Sequence, residues 1–147
     1  MPVQWSPELT LNDEQLDAQH VELFRRLDEA SAALDGPPEK IEAVLANLQE
    51  LLVTHLSGEE RLMDETFYPE RVRHKSAHEL FLADFEQMCS ELRASGSTPA
   101  IADWVRRRIP EWLRFHIRVN DEPFAAWLTR HRPGTSGTRK KGDRNLS

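Results

Sequence analysis

Cysteine occurs once in this 147-residue chain, tyrosine once, and aromatic residues make up only 7% of it. The lone Cys89 excludes an intrachain disulfide framework. The absence of Cys-x-x-Cys-His and His-Glu-x-x-His removes the covalent-haem and zinc-protease signatures. No apolar run approaches the roughly 20 residues that a membrane-spanning helix needs. The opening stretch, MPVQWSP, has neither the basic start nor the apolar core of a secretory signal. A cytoplasmic protein without a membrane span is therefore the expectation. Positive charge is also scarce, with 19 Lys and Arg against 25 Asp and Glu and a net charge of -6, which argues against broad contact with nucleic-acid phosphates. The length suits one domain over residues 1–131. After it, 132–147 reads as a flexible basic tail rich in Gly, Pro and Ser.

What the chain does contain is helical periodicity, in four segments. Leu16, His20, Leu23, Phe24, Leu27 and Leu34 share one face; Ile41, Val44, Leu45, Leu48, Leu52, His55, Glu59, Leu62 and Met63 share a second. His74, His78, Phe81, Leu82, Phe85, Cys89 and Leu92 form a third. The fourth runs from about Pro99 to Asn120 through Ile101, Trp104, Val105, Ile109, Trp112, Leu113 and His116. DGPPE, FYPE and ASGSTP punctuate the sequence between them. No segment alternates as a strand would. The pattern predicts an all-α, up-down-up-down antiparallel four-helix bundle with a short N-terminal arm. Pro110 inside the fourth segment predicts a kink or a restart.

Histidine is used sparingly, yet one spacing recurs: His55 with Glu59, and His74 with His78. Residues four apart on a helix are separated by about 40° and 6 Å, so both can reach one ion. A single such pair says little. Histidine and acidic residues number 31 of 147 (6 + 25), so a given His meets one at +4 roughly one time in five. What changes the reading is position. His20, His55, Glu59, His74, His78 and His116 all lie on the apolar stripes of four helices, where imidazole or charge is unfavourable unless paired or bound to metal. A shared metal site follows. Asp121, five residues after His116, joins it only if the helix bends or ends between them. His131 lacks such a context.

In this arrangement LDAQHVELF, HLSGEERLM, HKSAHELF and WLRFHIRVNDEPF, quoted in chain order from Leu16 to Phe124, make the chain resemble the hemerythrin family, its bacterial single-domain members above all. The resemblance spans roughly Trp5 to Leu128. It departs at Asn12, where the family often has Gly, at Leu56, where Phe commonly follows the histidine, and at Phe67, where Gly usually precedes Tyr-Pro.

The resemblance implies two non-haem iron ions, one held by His74, His78 and His116, the other by His20 and His55, with Glu59 and Asp121 bridging them. Two six-coordinate ions offer twelve positions, of which five histidines, two bridging carboxylates and one bridging oxide or hydroxide fill eleven (5 + 4 + 2). The open one belongs to the iron with two histidines, where dioxygen is expected to bind end-on and leave again. Leu113, Ile117 and Trp112 are implied as the apolar wall of that oxygen pocket. The expected role is oxygen storage or delivery without catalysis, with an oxygen-consuming enzyme as the partner served. An oxygen, redox or NO sensor signalling to a partner protein, and a di-iron oxidase or peroxidase, are the alternatives. Zinc suits the set poorly, since a tetrahedral ion has no use for seven converging ligands.

Overall fold

Helix starts and stops are set by residues that satisfy the end groups of the backbone. In this computed structural model residues 4–132 are described, so the expected tail, Arg132 apart, lies outside the described residues. Among the described residues there are four long helices and no strand. A 3₁₀ turn at Pro7–Leu9 buries Leu9 against the bundle. Helix α1 (Glu14–Ala33) begins at Asp13, whose carboxylate accepts from Leu16 N at 2.9 Å. Helix α2 (Pro38–Glu65) starts on the Pro37-Pro38 pair, where a missing N–H does no harm. Helix α3 (Arg71–Ser95) ends at Gly96, with φ 75°. The fourth helix, α4, spans 99–131 and is capped by Thr98, whose hydroxyl accepts from Ile101 N at 3.2 Å. The four run antiparallel, α1 beside α2, α2 beside α3, and α4 returning against α1. None is long and apolar enough to cross a membrane.

The sequence pattern places the end of the fourth helix near Asn120 and a kink or restart at Pro110. The end is corrected, and at Pro110 the structure has a π turn leading into further α-helix. The helix continues to His131, and it absorbs its prolines through two π turns, Trp104–Arg108 and Ile117–Asp121. In these turns Ile109 N–H bonds to Trp104 O and Glu122 N–H to Ile117 O, a step of five where an α-helix takes four. Each π turn stops two residues before a proline, Pro110 and Pro123. The widened turn lies where the proline's missing N–H and bulky ring would otherwise disturb a regular helix.

Two non-glycine residues adopt left-handed backbone, Asn12 and Phe67, each with φ 56°. These are two of the three departures from the family pattern. Phe67 is the left-handed residue of a Schellman closure of α2: Tyr68 N–H reaches Met63 O at 2.9 Å and Phe67 N–H reaches Asp64 O at 3.3 Å. Its ring is exposed, so it carries the strain of that conformation without burying its side chain.

The core has two apolar layers. The larger packs Leu23, Phe24, Leu48, Leu52, Phe81, Phe85, Val105, Ile109, Leu113 and Ile117; the smaller packs Leu16, Met63, Tyr68, Phe124 and Leu128. Every helix passes through a buried polar layer between them.

Candidate metal centre

That polar layer is made of His20 from α1, His55 and Glu59 from α2, His74 and His78 from α3, and His116 and Asp121 from α4, all buried. All seven residues expected from the sequence are brought together. Helical steps of four aim the α2 and α3 pairs inward. Asp121 reaches the layer by a different device: the π turn between it and His116 brings residues five apart onto one side.

The seven divide into two facing sets. His74 Nε2 and His78 Nε2 lie 3.1 and 3.0 Å from His116 Nε2. Asp121 Oδ1 is 3.1 Å from His74 Nε2 and 3.2 Å from His116 Nε2, and Glu59 Oε1 is 3.4 Å from His78 Nε2. The other oxygens turn the opposite way. Glu59 Oε2 is 3.1 Å from His55 Nε2, and Asp121 Oδ2 is 3.2 Å from His20 Nε2. Each carboxylate thus gives one oxygen to a three-histidine side and one to a two-histidine side. The ligating atoms within each of the groups Glu59, His74, His78, His116, Asp121 and His20, His55, Glu59 all fall within 4.8 Å of one another.

These distances test what could sit at the centre. Imidazole nitrogens that converge at 3.0–3.1 Å bring lone pairs together unless a cation or a proton lies between them. For metal–ligand bonds of about 2.1 Å, neighbouring ligand atoms stand about 3.0 Å apart around an octahedral ion and about 3.4 Å apart around a tetrahedral one. The histidine–histidine spacings on the three-histidine side are the octahedral ones, while Glu59 Oε1 stands wider, 3.4 Å from His78 Nε2. Both oxygens of Glu59 and Oδ1 of Asp121 are buried without a hydrogen-bond partner among the described residues. Buried anionic oxygens in that condition are strongly disfavoured unless a cation compensates them.

The electrostatics agree. Burial pushes Glu59 and Asp121 toward the neutral form, as does the Asp121 charge for Glu59, but the surrounding histidines win and hold both carboxyls well below their usual range. Burial likewise disfavours charge on His20, yet its contacts with Asp121 and Glu59 lift its pKa to about 9. The residues build a pocket for positive charge.

A second set of contacts, not anticipated from the sequence, fixes ring orientations. Gln19 Oε1 lies 2.5 Å from His55 Nδ1, and Glu60 Oε2 lies 2.9 Å from His78 Nδ1. Each stands next in sequence to a site residue on its own helix and reaches a histidine on the following one. That adjacency is the signal by which they could have been found. Tyr68 and Phe124 present edges to His74, with ring centroids 6.5 and 5.9 Å away. Of the three residues expected as an apolar wall, Leu113 and Ile117 are buried in the larger apolar layer. Trp112 instead stacks on His116 at 4.5 Å, sandwiched against Phe81 at 3.8 Å, so its contact is with the three-histidine side. His131 stays apart from the cluster and stacks on Trp127.

Comparison with known proteins follows the same lines. The family model described as "Hemerythrin HHE cation binding domain" matches residues 11–128. A bacteriohemerythrin of Stenotrophomonas maltophilia (strain R551-3) is 26% identical over 130 residues, 86% of this chain and 82% of that protein. A myohemerythrin of Theromyzon tessulatum is 28% identical over 127 residues, 86% and 94% of the two chains. Among solved structures, the crystal structure of a leucine-to-phenylalanine mutant superposes with a TM-score of 0.78 at 20% identity, over 88% of this chain and 99% of that one, and so shares the fold.

Proposed function

Because the chain belongs to the hemerythrin HHE cation-binding family, we propose that its two-sided cluster holds a pair of iron ions and binds dioxygen reversibly, for storage or delivery. His74, His78 and His116 would hold one ion, His20 and His55 the other, with Glu59 and Asp121 each giving an oxygen to both. The observation that carries this reading is the division of each carboxylate between two histidine sets. A single-ion site has no use for it. A bound pair of iron ions would supply the electrons that reversible dioxygen binding requires.

The remaining work falls to the chain. Gln19 and Glu60 keep the inward nitrogens of His55 and His78 aimed at the centre, as partners of the outer nitrogen do in metal sites. Trp112 holds the plane of His116 by stacking. Leu113 and Ile117, 3% and 1% exposed, contribute an apolar wall that keeps water and proton donors from the α4 side of the site, which favours binding over reaction. An oxidase or a sensor would use the same metals with an additional substrate or a partner.

The test is metal analysis of purified protein with optical spectra of the reduced form before and after air. Two irons per chain, a ferric charge-transfer spectrum without porphyrin bands, and recovery of the reduced spectrum on removing oxygen are the expected outcome. One zinc per chain, or immediate irreversible oxidation, overturns it.

A further inference from the structure

The two sides of the cluster differ in access. A groove of about 500 Å³ runs between α1 and α2, and His55 and Glu59 line its inner end. Its walls include Leu16, Gln19, Thr54, Gly58 and Leu62. Leu113, Ile117 and Trp112 are not among its lining residues. His55 is the most exposed of the five cluster histidines, at 6% against 0–2% for the others. Glu59, 1% exposed and with neither oxygen accepting a hydrogen bond among the described residues, is a buried polar group at the head of a passage from the surface.

Gly58 is the informative residue. It lies inside α2, between His55 and Glu59, where glycine weakens a helix relative to alanine. No steric demand explains it: a Cβ added at Gly58 would meet nothing within 4 Å, and its φ is not in the left-handed range. The space a side chain would take is groove. On the opposite wall, α1 contributes exposed Ala18, another small residue.

The geometry points to the α1–α2 groove as the entrance by which small exogenous metal ligands reach the two-histidine side, with Gly58 setting its width. This rests on the di-iron reading above. It adds a passage and a residue that controls it, separate from the apolar wall on α4. A passage has a kinetic signature. Narrowing it raises the barrier to entry and exit equally, so on- and off-rates fall together and the equilibrium constant is preserved.

The probe is azide, mixed rapidly with the diferric holoprotein and followed optically. Gly58→Leu should slow both association and dissociation by about 10-fold or more, with Kd within about twofold and iron content unchanged. Gly58→Ala, adding one methyl, should stay near wild type, and Ala18→Leu, narrowing from the other helix, should repeat the slowing. Unchanged association rates in both leucine variants at equal iron overturn the inference, as does a shift in Kd arising from dissociation alone. A wild type without paired iron overturns the di-iron reading instead. The groove is then read by cobalt(II) entry into metal-free protein, which Gly58→Leu must slow by the same order for the inference to stand.

Discussion

The three-histidine and two-histidine sides of the cluster share two carboxylates and little else. On the first, three rings pack with centroids 4.6–4.8 Å apart, His74 edge-on to both His78 and His116 and those two tilted, enclosed by Trp112, Tyr68 and Phe124, and His78 is fully buried. On the second, His20 and His55 meet at 5.0 Å and a groove leads in from solvent. One side is built to be filled by protein, the other to leave room. Histidine number and packing therefore teach the same lesson, that enclosure and access are separated across one pair of carboxylates.

Removing ligands is the strongest way to break that comparison. His78→Ala should reduce iron to less than about one per chain and destabilise the fold by more than about 2 kcal/mol, because buried groups lose their metal and their partners together. His55→Ala should retain about one iron per chain, since the three-histidine side is complete without it. Metal analysis with thermal unfolding reads both, and equal losses from the two variants would erase the distinction between the sides. The next effect in size is on ring support. Glu60→Ala should weaken metal affinity by about 10-fold or more, measured by chelator competition, and Gln19→Ala should do the same for the other side only.

Leu113→Ser comes third. It should speed irreversible oxidation of the reduced protein in air by about 10-fold, equivalent to about 1.4 kcal/mol of barrier, at unchanged iron content. Equal oxidation rates would show that access depends on the groove alone. The smallest change sharpens the comparison by touching neither side. Phe67→Gly removes left-handed strain and should stabilise the protein by about 1 kcal/mol, without altering metal content or air oxidation. If metal content rose with it, loading would be following global stability and not the local sites.

Most of this cluster is legible in the sequence because its members stand on apolar stripes at helical steps. His55 with Glu59 and His74 with His78 need only the α-helical period. Asp121 does not fit that period, and the reason is physical: the period itself changes between His116 and Asp121. The same change carries α4 past Asn120 and through Pro123, beyond the point where sequence signals end it. Gln19 and Glu60 escape a reading of helical faces because each acts on a helix other than its own; their adjacency to His20 and Glu59 is the one sequence signal they carry. Phe67 stands out in the sequence as a departure from family usage, but its strained φ follows only from the closure of α2.

The two π turns also govern how α4 can be matched to any other helix. Its 33 residues (131 − 99 + 1) include one residue in each π turn beyond what an uninterrupted helix would use for the same advance. A straight helix laid against α4 therefore requires a one-residue gap at Trp104–Arg108 and another at Ile117–Asp121. Without the second gap, Asn120 takes the place of Asp121, and Phe124 and Leu128 are each displaced by one. Deleting one residue between His116 and Asp121 would instead place the pair at a step of four on an ordinary helix, both still facing the centre. Insertion and deletion, more than substitution, are the changes to which the geometry of this helix is most directly coupled.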